Sequence, residues 1–221
     1  NAVLRFQQER PVQRADLEEV IAPYRAARQP LQWWLRAGAE PPGLREQLYA
    51  LGMRTWGQPP GLALPLVGWQ PPEMPSNVVV RVAITPADAL AALAIICGVF
   101  RLAAAPMRRW CDDNPAFVAY LATIDAIPVG ALVRQIHDGV AGFFHVATAP
   151  SARRRGVATA LLAQALRDAQ ARGATVAALT SSPMAEGIYR RLGFISCCTF
   201  DLWMPGSALL LDLTSFRAGG G

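Results

Sequence analysis

The most constraining feature of this sequence is a change of apolar periodicity on either side of Arg153–Gly156. Before it, Val140–Thr148 is a short run of β-branched, aromatic and small apolar residues, which predicts a strand. After it, apolar residues recur at helical spacing until Arg172-Gly173, which has the pattern of a glycine C-cap. These apolar positions are Val157, Leu161, Leu162, Ala165, Leu166 and Ala169. A second strand at Thr175–Thr180 completes a strand-turn-helix-strand unit.

The flanking sequence alternates in the same way and predicts a mixed α/β sheet covered by helices. Thr85-Pro86 is a helix start, because proline suits the first helical turn, and the periodicity continues to about Arg101. A shorter helix is predicted at Met184–Leu192, ending at Gly193. The predicted strands are Val78–Ile84, three consecutive antiparallel strands at Phe117–Ile124, Ile127–Ile136 and Val140–Thr148, and the last strands at Phe194–Met204 and Ala208–Leu213. Asp125-Ala126 and His137-Asp138-Gly139 supply the turns between the three consecutive strands.

A proline-rich stretch divides the chain. Gln58–Asn77 holds six prolines, at 59, 60, 65, 71, 72 and 75, and proline neither donates to a ladder nor continues a helix. We place a boundary near Pro75. The prediction is an N-terminal α/β segment at 1–75, a larger domain at 76–215 and a flexible tail at 216–221.

The N-terminal segment repeats part of the pattern of the larger domain. Its predicted elements are a helix near Asp16–Arg28, a strand at Leu31–Leu35, a helix at Pro42–Ala50 and strands flanking Pro59-Pro60. Leu31–Leu66 follows the same element order as Val176–Met204, and aligning Leu51-Gly52-Met53 with Leu192-Gly193-Phe194 sets Leu48 against Tyr189. A degenerate internal repeat and a chance likeness both remain open.

Composition argues for a compact globule with a small anionic ligand. The chain is 52% hydrophobic and 17% charged, with a formal charge of +5. Its 21 basic residues are all arginines and are scattered apart from Arg153–Arg155, without the aromatic-interleaved basic stripe that nucleic-acid binding usually needs. We therefore expect no nucleic-acid partner.

Cysteine usage and hydropathy predict a cytoplasmic protein. The four cysteines form no CxxC pair and have no histidine at zinc-finger spacing, so neither a metal site nor a disulfide framework is expected. The longest apolar run, Ala87–Phe100, is interrupted by Asp88 and is too short to span a bilayer, and no signal-peptide pattern begins the chain. We expect no membrane partner.

The loop Arg153-Arg154-Arg155-Gly156-Val157-Ala158 has the composition of an anion site. The first amides of a helix lack intrahelical acceptors and lie at the positive end of its dipole, which stabilises a phosphate. Gly156 lets a ligand approach the backbone, Ala158 keeps the next position small, and the arginines add charge. An isolated loop of this kind is also compatible with a solvated turn.

With Tyr189-Arg190-Arg191-Leu192-Gly193-Phe194 about thirty residues later, the sequence resembles the GCN5-related N-acetyltransferase family. That family has (Gln/Arg)-x-x-Gly-x-(Gly/Ala) after strand four and a Tyr-x-x-x-Gly-Phe type element after strand five. The resemblance covers roughly Asn77–Leu213. It implies an acyl-CoA N-acyltransferase fold, in which a mostly antiparallel sheet with helices on both faces parts between strands four and five to admit acetyl-coenzyme A (acetyl-CoA).

The resemblance also implies roles for particular residues. Backbone groups of Val146, Ala147 and Thr148 would pair with the pantetheine arm, as in β-augmentation. Tyr189 would be the general acid that protonates the departing thiolate, unless it is only a packed helix residue. The pyrophosphate would be held at the loop and helix start by Arg153, Arg154, Arg155, Gly156, Val157, Ala158 and Thr159.

Two departures leave the general base unassigned. Ser182 stands where many relatives have an asparagine, and its hydroxyl can still hydrogen-bond the pantetheine region. Ala177 stands where some relatives have a glutamate base. His145, just before the pantetheine segment, is our first candidate because histidine titrates near neutrality, although it also fits a packed edge-strand residue. The weaker candidates are Asp125, His137, Asp138 and Glu186, and a water chain is a further option.

Two functions follow from these patterns. The first is an acetyl-CoA-dependent N-acetyltransferase that acts on a primary amine of a small molecule, amino acid or peptide by direct attack, without a metal. The alternative is a non-catalytic acyl-CoA-binding or sensor module, which the missing carboxylate base keeps open. The N-terminal segment lacks the loop and would neither bind the cofactor nor catalyse. It would cover a sheet edge or line the substrate cleft, where apolar pocket or core residues would be Trp33, Trp34, Trp56 and Trp69. A homodimer stays open.

Overall fold

The computed structural model describes residues 2–3, 6–27 and 31–206. Its helices are α1 (Arg14–Ala26), α2 (Leu44–Ala50), α3 (Pro86–Phe100), α4 (Ala104–Asp112), α5 (Val157–Ala171) and α6 (Glu186–Arg191). Its strands are β1 (Ala2–Val3), β2 (Gln32–Arg36), β3 (Met53–Gly57), β4 (Pro60–Pro65), β5 (Val79–Val82), β6 (Val118–Ile124), β7 (Ile127–His137), β8 (Val140–Thr148), β9 (Val176–Thr180) and β10 (Ile195–Pro205). The predicted mixed α/β architecture is therefore confirmed.

The chain forms two compact units. One consists of the described residues within Asn1–Gly61 and Ser196–Gly221, and the other is Leu62–Ile195. The domain boundary near Pro75 and the tail at 216–221 stay predictions. The strand expected at Ala208–Leu213 lies outside the described residues.

The first unit is built on β10. This strand pairs antiparallel with β2, where Trp203 lies opposite Trp33, and antiparallel with β3. Asp201 on β10 is buried, and its carboxylate accepts hydrogen bonds from Arg45 and from Gln58, the latter at 2.6 Å. The core contains Val12, Leu17, Leu31, Trp33, Leu35, Leu44, Leu48, Met53 and Trp203. Trp33 is thus a core residue.

Two short helices end at glycines in the same conformation. In the first unit, β2, α2 and β3 follow one another, with Gly52 at φ 79°. Elsewhere, β9, α6 and β10 follow in the same order, with Gly193 at φ 97°. Leu48 and Tyr189, which the sequence alignment sets against each other, are both buried. These likenesses support the internal repeat, which stays a prediction.

The second unit contains an antiparallel sheet, β5-β6-β7-β8, extended by β9 in parallel with β8. The predicted hairpin turns are present, because Asp125-Ala126 and Asp138-Gly139 all have positive φ. Helix α3 packs on one face of this sheet and α5 on the other. The buried stripe of α5 agrees with the helical periodicity of the sequence.

The sequence predicts where α3 begins and ends, but it does not predict α4. The Thr85 hydroxyl accepts a hydrogen bond from the Asp88 amide at 3.1 Å and caps α3, as expected of Thr-Pro. Arg101, at φ 53°, ends it. Helix α4 follows Ala103, which offers no capping side chain, so its start lacks the usual N-cap signal.

Candidate functional site

A β-bulge shapes the end of β8. In its ladder with β7, Val133 pairs with Phe144 and Ala131 pairs with Ala147, so two residues of β8 face one residue of β7. His145 lies in the bulge with φ 51°. The extra residue breaks the alternation of faces. The rings of Phe144 and His145 therefore contact residues on the α3 side, whereas Val146 packs into the core beneath α5.

The ladder between β8 and β9 is short. It has three registered pairs and ends where Gly142 lies opposite Ala178. Strand β8 continues for six more residues, to Thr148, so its second half extends beyond the last registered pair. The two strands part there. Val146, Ala147 and Thr148 belong to this second half, where a strand edge can pair with an extended ligand.

An arginine-rich turn connects β8 to α5. Arg153, Arg154 and Arg155 are all exposed, and Arg154 has φ 63°. Gly156 is the N-cap of α5 at φ 78°, and no side-chain hydrogen bond caps this helix start. The amides of Val157, Ala158 and Thr159 have no intrahelical acceptor because they form the first turn. The combination of uncapped amides, helix dipole and three guanidinium groups fits a pyrophosphate.

Gly156 also packs closely against a distant residue. A Cβ atom built on Gly156 would lie 2.4 Å from Cγ of Pro75. The sequence predicts that a ligand approaches this glycine, and the structure adds two requirements, the left-handed φ and the contact with Pro75. No sequence signal pointed to Pro75, because it is 81 residues away in a stretch that reads as a linker.

Tyr189 is buried on α6. Its side chain is part of the core beneath α5, and its ring contacts Phe194 edge-to-face with centroids 5.8 Å apart. Burial raises the pKa of Tyr189 to about 12, so the phenol is protonated at neutral pH. Its hydroxyl has no hydrogen-bond partner among the described residues, which leaves it available to a ligand.

Helix α6 is fixed at both ends. The Ser182 carbonyl accepts hydrogen bonds from the amides of Ala185 and Glu186, both at 3.1 Å. At the other end, the indole N–H of Trp69 donates to the Leu192 carbonyl at 2.9 Å. Ser182 itself is exposed just after β9, as a ligand contact requires.

His145 is partly buried on the other side of the sheet from the core that holds Tyr189. Its ring lies 5.5 Å from that of Phe100, the last residue of α3, in an edge-to-face arrangement. Burial lowers the pKa of His145 below its ordinary value of 6.5, so the imidazole is neutral at pH 7 and can accept a proton.

The other base candidates have ordinary structural roles. His137 and Asp138 form an exposed pair at 3.4 Å, in the turn at the far end of β8 from His145. Asp125 occupies a hairpin turn, and Glu186 binds Arg190 at 2.6 Å on α6. Ala177 is fully buried in the core beneath α5.

The described residues contain no group of three or more histidine, cysteine or acidic side chains that could hold a metal ion. Within the same residues, no helix has both the length and the apolarity needed to cross a membrane.

Comparison with known proteins gives a family model and solved structures that match this chain. Residues 112–196 match the family model described as "Acetyltransferase (GNAT) domain". A solved GCN5-related N-acetyltransferase from Kribbella flavida is 30% identical, with a TM-score of 0.75 over 96% of this chain and 83% of that one. A search among curated proteins gives no match.

Two more distant structures share the fold. A GCN5-related N-acetyltransferase from Sphaerobacter thermophilus is 20% identical, with a TM-score of 0.65 over 86% of this chain and 65% of that one. A tandem GNAT protein from the clavulanic acid biosynthesis pathway is 18% identical, with a TM-score of 0.60 over 86% and 68% of the two chains. With the Kribbella match across most of both chains, these findings show that this protein belongs to the GCN5-related N-acetyltransferase family, a family of acyltransferases.

Proposed function

We propose that this protein transfers an acetyl group from acetyl-CoA to a primary amine by direct attack of the amine on the thioester. The observation that carries the proposal is the end of the β8–β9 ladder at Gly142. The strands part there, and the strand that continues, β8, leads directly to the uncapped start of α5. A pantetheine arm along β8 and a pyrophosphate at α5 account for both features.

The chain offers contacts for the pantetheine arm and the pyrophosphate of acetyl-CoA. The backbone of Val146, Ala147 and Thr148 would pair with the amides of pantetheine, near the hydroxyl of Ser182. The first-turn amides of α5 and the side chains of Arg153–Arg155 would hold the pyrophosphate. Acetyl-CoA supplies the activated acetyl group as a thioester.

In the proposed transfer, the amine nitrogen forms a bond to the acetyl carbon while the carbon–sulfur bond breaks. The nitrogen loses a proton, and the departing sulfur gains one from the Tyr189 hydroxyl. A phenol with a pKa of about 12 is a weak acid for protonating a thiolate, because the corresponding thiol has a pKa of about 8.5 in water. The burial that raises the pKa of Tyr189 also raises the pKa of a thiol in the same surroundings, because it disfavours the thiolate. The difference between the two pKa values is therefore smaller than the comparison with a thiol in water suggests.

His145 is the proposed proton acceptor. Its imidazole is neutral at pH 7, and it lies on β8 immediately before Val146, where the strands part. Because Tyr189 and His145 belong to opposite sides of the sheet, the amine would approach from the α3 side while the thiol departs on the α5 side. A water molecule could relay the proton to the imidazole.

The test of the proposal is thiol release from acetyl-CoA measured against a panel of primary amines, with thermal denaturation recorded in parallel. Transfer predicts amine-dependent release of coenzyme A together with the acetylated amine, identified by mass spectrometry. If acetyl-CoA raises the melting temperature and no amine stimulates release, the chain is the non-catalytic binding module instead.

The pH dependence of kcat at saturating amine tests both proton-transfer roles. Because the pKa of His145 is lowered below 6.5, its imidazole is still largely neutral at that pH and can accept a proton. The fall of kcat on the acid side, the acid limb, should therefore lie below pH 6.5. A phenol that is protonated up to about pH 12 should give no alkaline fall below about pH 10.

The control is the His145→Gln variant, in which the acid limb should disappear. An acid limb that is unchanged in this variant would assign proton removal to another group. An alkaline fall near pH 8 would exclude Tyr189 as the donor.

A further inference from the structure

Aromatic side chains line the α3 side of the sheet next to the bulge. We call this surface the aromatic wall and define it as Phe100, Phe117, Phe144 and the ring of His145. Phe100 is 44% exposed and Phe144 is 37% exposed, whereas Phe117 and His145 are partly buried. The rings of Phe117 and Phe144 lie 5.8 Å apart, and those of Phe100 and His145 lie 5.5 Å apart.

The aromatic wall reaches the point where the strands part. A Cβ atom on Gly142 would lie 3.1 Å from the Phe144 ring, so this ring lies over the residue that ends the β8–β9 ladder. The bulge keeps Phe144 and His145 on one side of the strand, which joins the two ring pairs into a continuous surface. The aromatic wall is therefore continuous with the site at which the amine would meet the thioester.

The elements around the aromatic wall offer no excess of negative charge. Strand β8 carries no acidic residue, and α3 carries only Asp88, which binds Arg81 at 2.7 Å. Asp112, the last residue of α4, lies 3.6 Å from the guanidinium group of Arg108. Asp113, just beyond α4, lies 3.5 Å from the guanidinium group of Arg109. The acceptor recognised here consequently needs an apolar group rather than a second positive charge.

We propose that the acceptor is a small primary amine that carries an aromatic or bulky apolar group, which packs on the aromatic wall while its nitrogen lies near His145. This inference rests on the proposed acetyl transfer and names the substrate class of that site. Burial of a phenyl group against Phe144 would favour such an amine over a polar one of equal length.

The first experiment compares phenethylamine with ethanolamine, which has the same two-carbon chain, and with spermidine and glutamate, which carry further charges. Phenethylamine should have a kcat/KM at least roughly tenfold above that of ethanolamine, spermidine or glutamate. Preference for spermidine or glutamate overturns the inference while leaving acetyl transfer intact. Absence of transfer to every amine overturns the proposed function itself.

The second experiment uses Phe144→Ala. The ratio of its kcat/KM for phenethylamine to its kcat/KM for ethanolamine should fall roughly tenfold, because only the first amine loses the contact with the Phe144 ring. The matched control is Ile127→Ala, which removes an apolar side chain that is 63% exposed at the start of β7 and outside the aromatic wall. Equal effects of the two variants on phenethylamine, or no effect of Phe144→Ala, would remove the aromatic wall from acceptor recognition.

Discussion

Replacing Tyr189 with phenylalanine is expected to lower the rate of coenzyme A release about 100-fold at neutral pH, the lower end of the range for loss of a general acid. The affinity for acetyl-CoA should change little. The substitution keeps the buried ring and its contact with Phe194 and removes only the hydroxyl. Steady-state thiol release and calorimetric titration with acetyl-CoA measure the two quantities separately.

Tyr120→Phe is the matched control for this variant. Tyr120 is also a buried tyrosine whose pKa is raised to about 12 by burial, but its hydroxyl donates to Asp168 at 2.9 Å within the core. Its loss should cost about 1 kcal/mol of stability without slowing release. Equal turnover of Tyr189→Phe and the wild-type protein would exclude Tyr189 as the proton donor.

The Gly156→Asp substitution is expected to weaken acetyl-CoA binding about 100-fold, because a carboxylate would stand beside the pyrophosphate site. It should also destabilise the fold. Residue 156 has φ 78°, and its Cβ atom would have to displace Pro75. Calorimetry gives the affinity, and thermal denaturation without ligand gives the cost to the fold.

Two controls separate these effects. Gly156→Ala introduces the strained φ and the contact with Pro75 without the charge, so its loss of affinity should be smaller. Gly173→Asp places the same residue at φ 83° at the other end of α5, where a Cβ atom meets no neighbour within 4 Å. It should leave affinity unchanged. Unaltered affinity in Gly156→Asp would remove the loop from cofactor binding.

Local patterns made most of the fold predictable from the sequence. The Thr85-Pro86 start of α3, the hairpin turns at Asp125-Ala126 and Asp138-Gly139, and the glycine that follows α5 depend on a few neighbouring residues. The same holds for the loop at Arg153–Ala158, whose position after a strand and at a helix start could be read directly.

The remaining features depend on contacts between distant residues. The bulge at His145 follows from the pairing of β7 with β8, and alternation of apolar residues does not mark a residue that leaves the register. The approach of Pro75 to Gly156 joins two segments 81 residues apart. The raised pKa of Tyr189 and the lowered pKa of His145 result from burial, which only the folded chain defines.

The bulge has a consequence for how acceptor choice could change during evolution. Phe144 faces the α3 side, whereas Val146, two positions later, packs beneath α5, so the proposed recognition of the amine and the proposed handling of the cofactor would use opposite surfaces of one strand. Mutations at the exposed positions 100 and 144 can therefore accumulate without disturbing the core that holds Tyr189. A lineage could exchange one acceptor for another at these few positions while its cofactor chemistry stays the same.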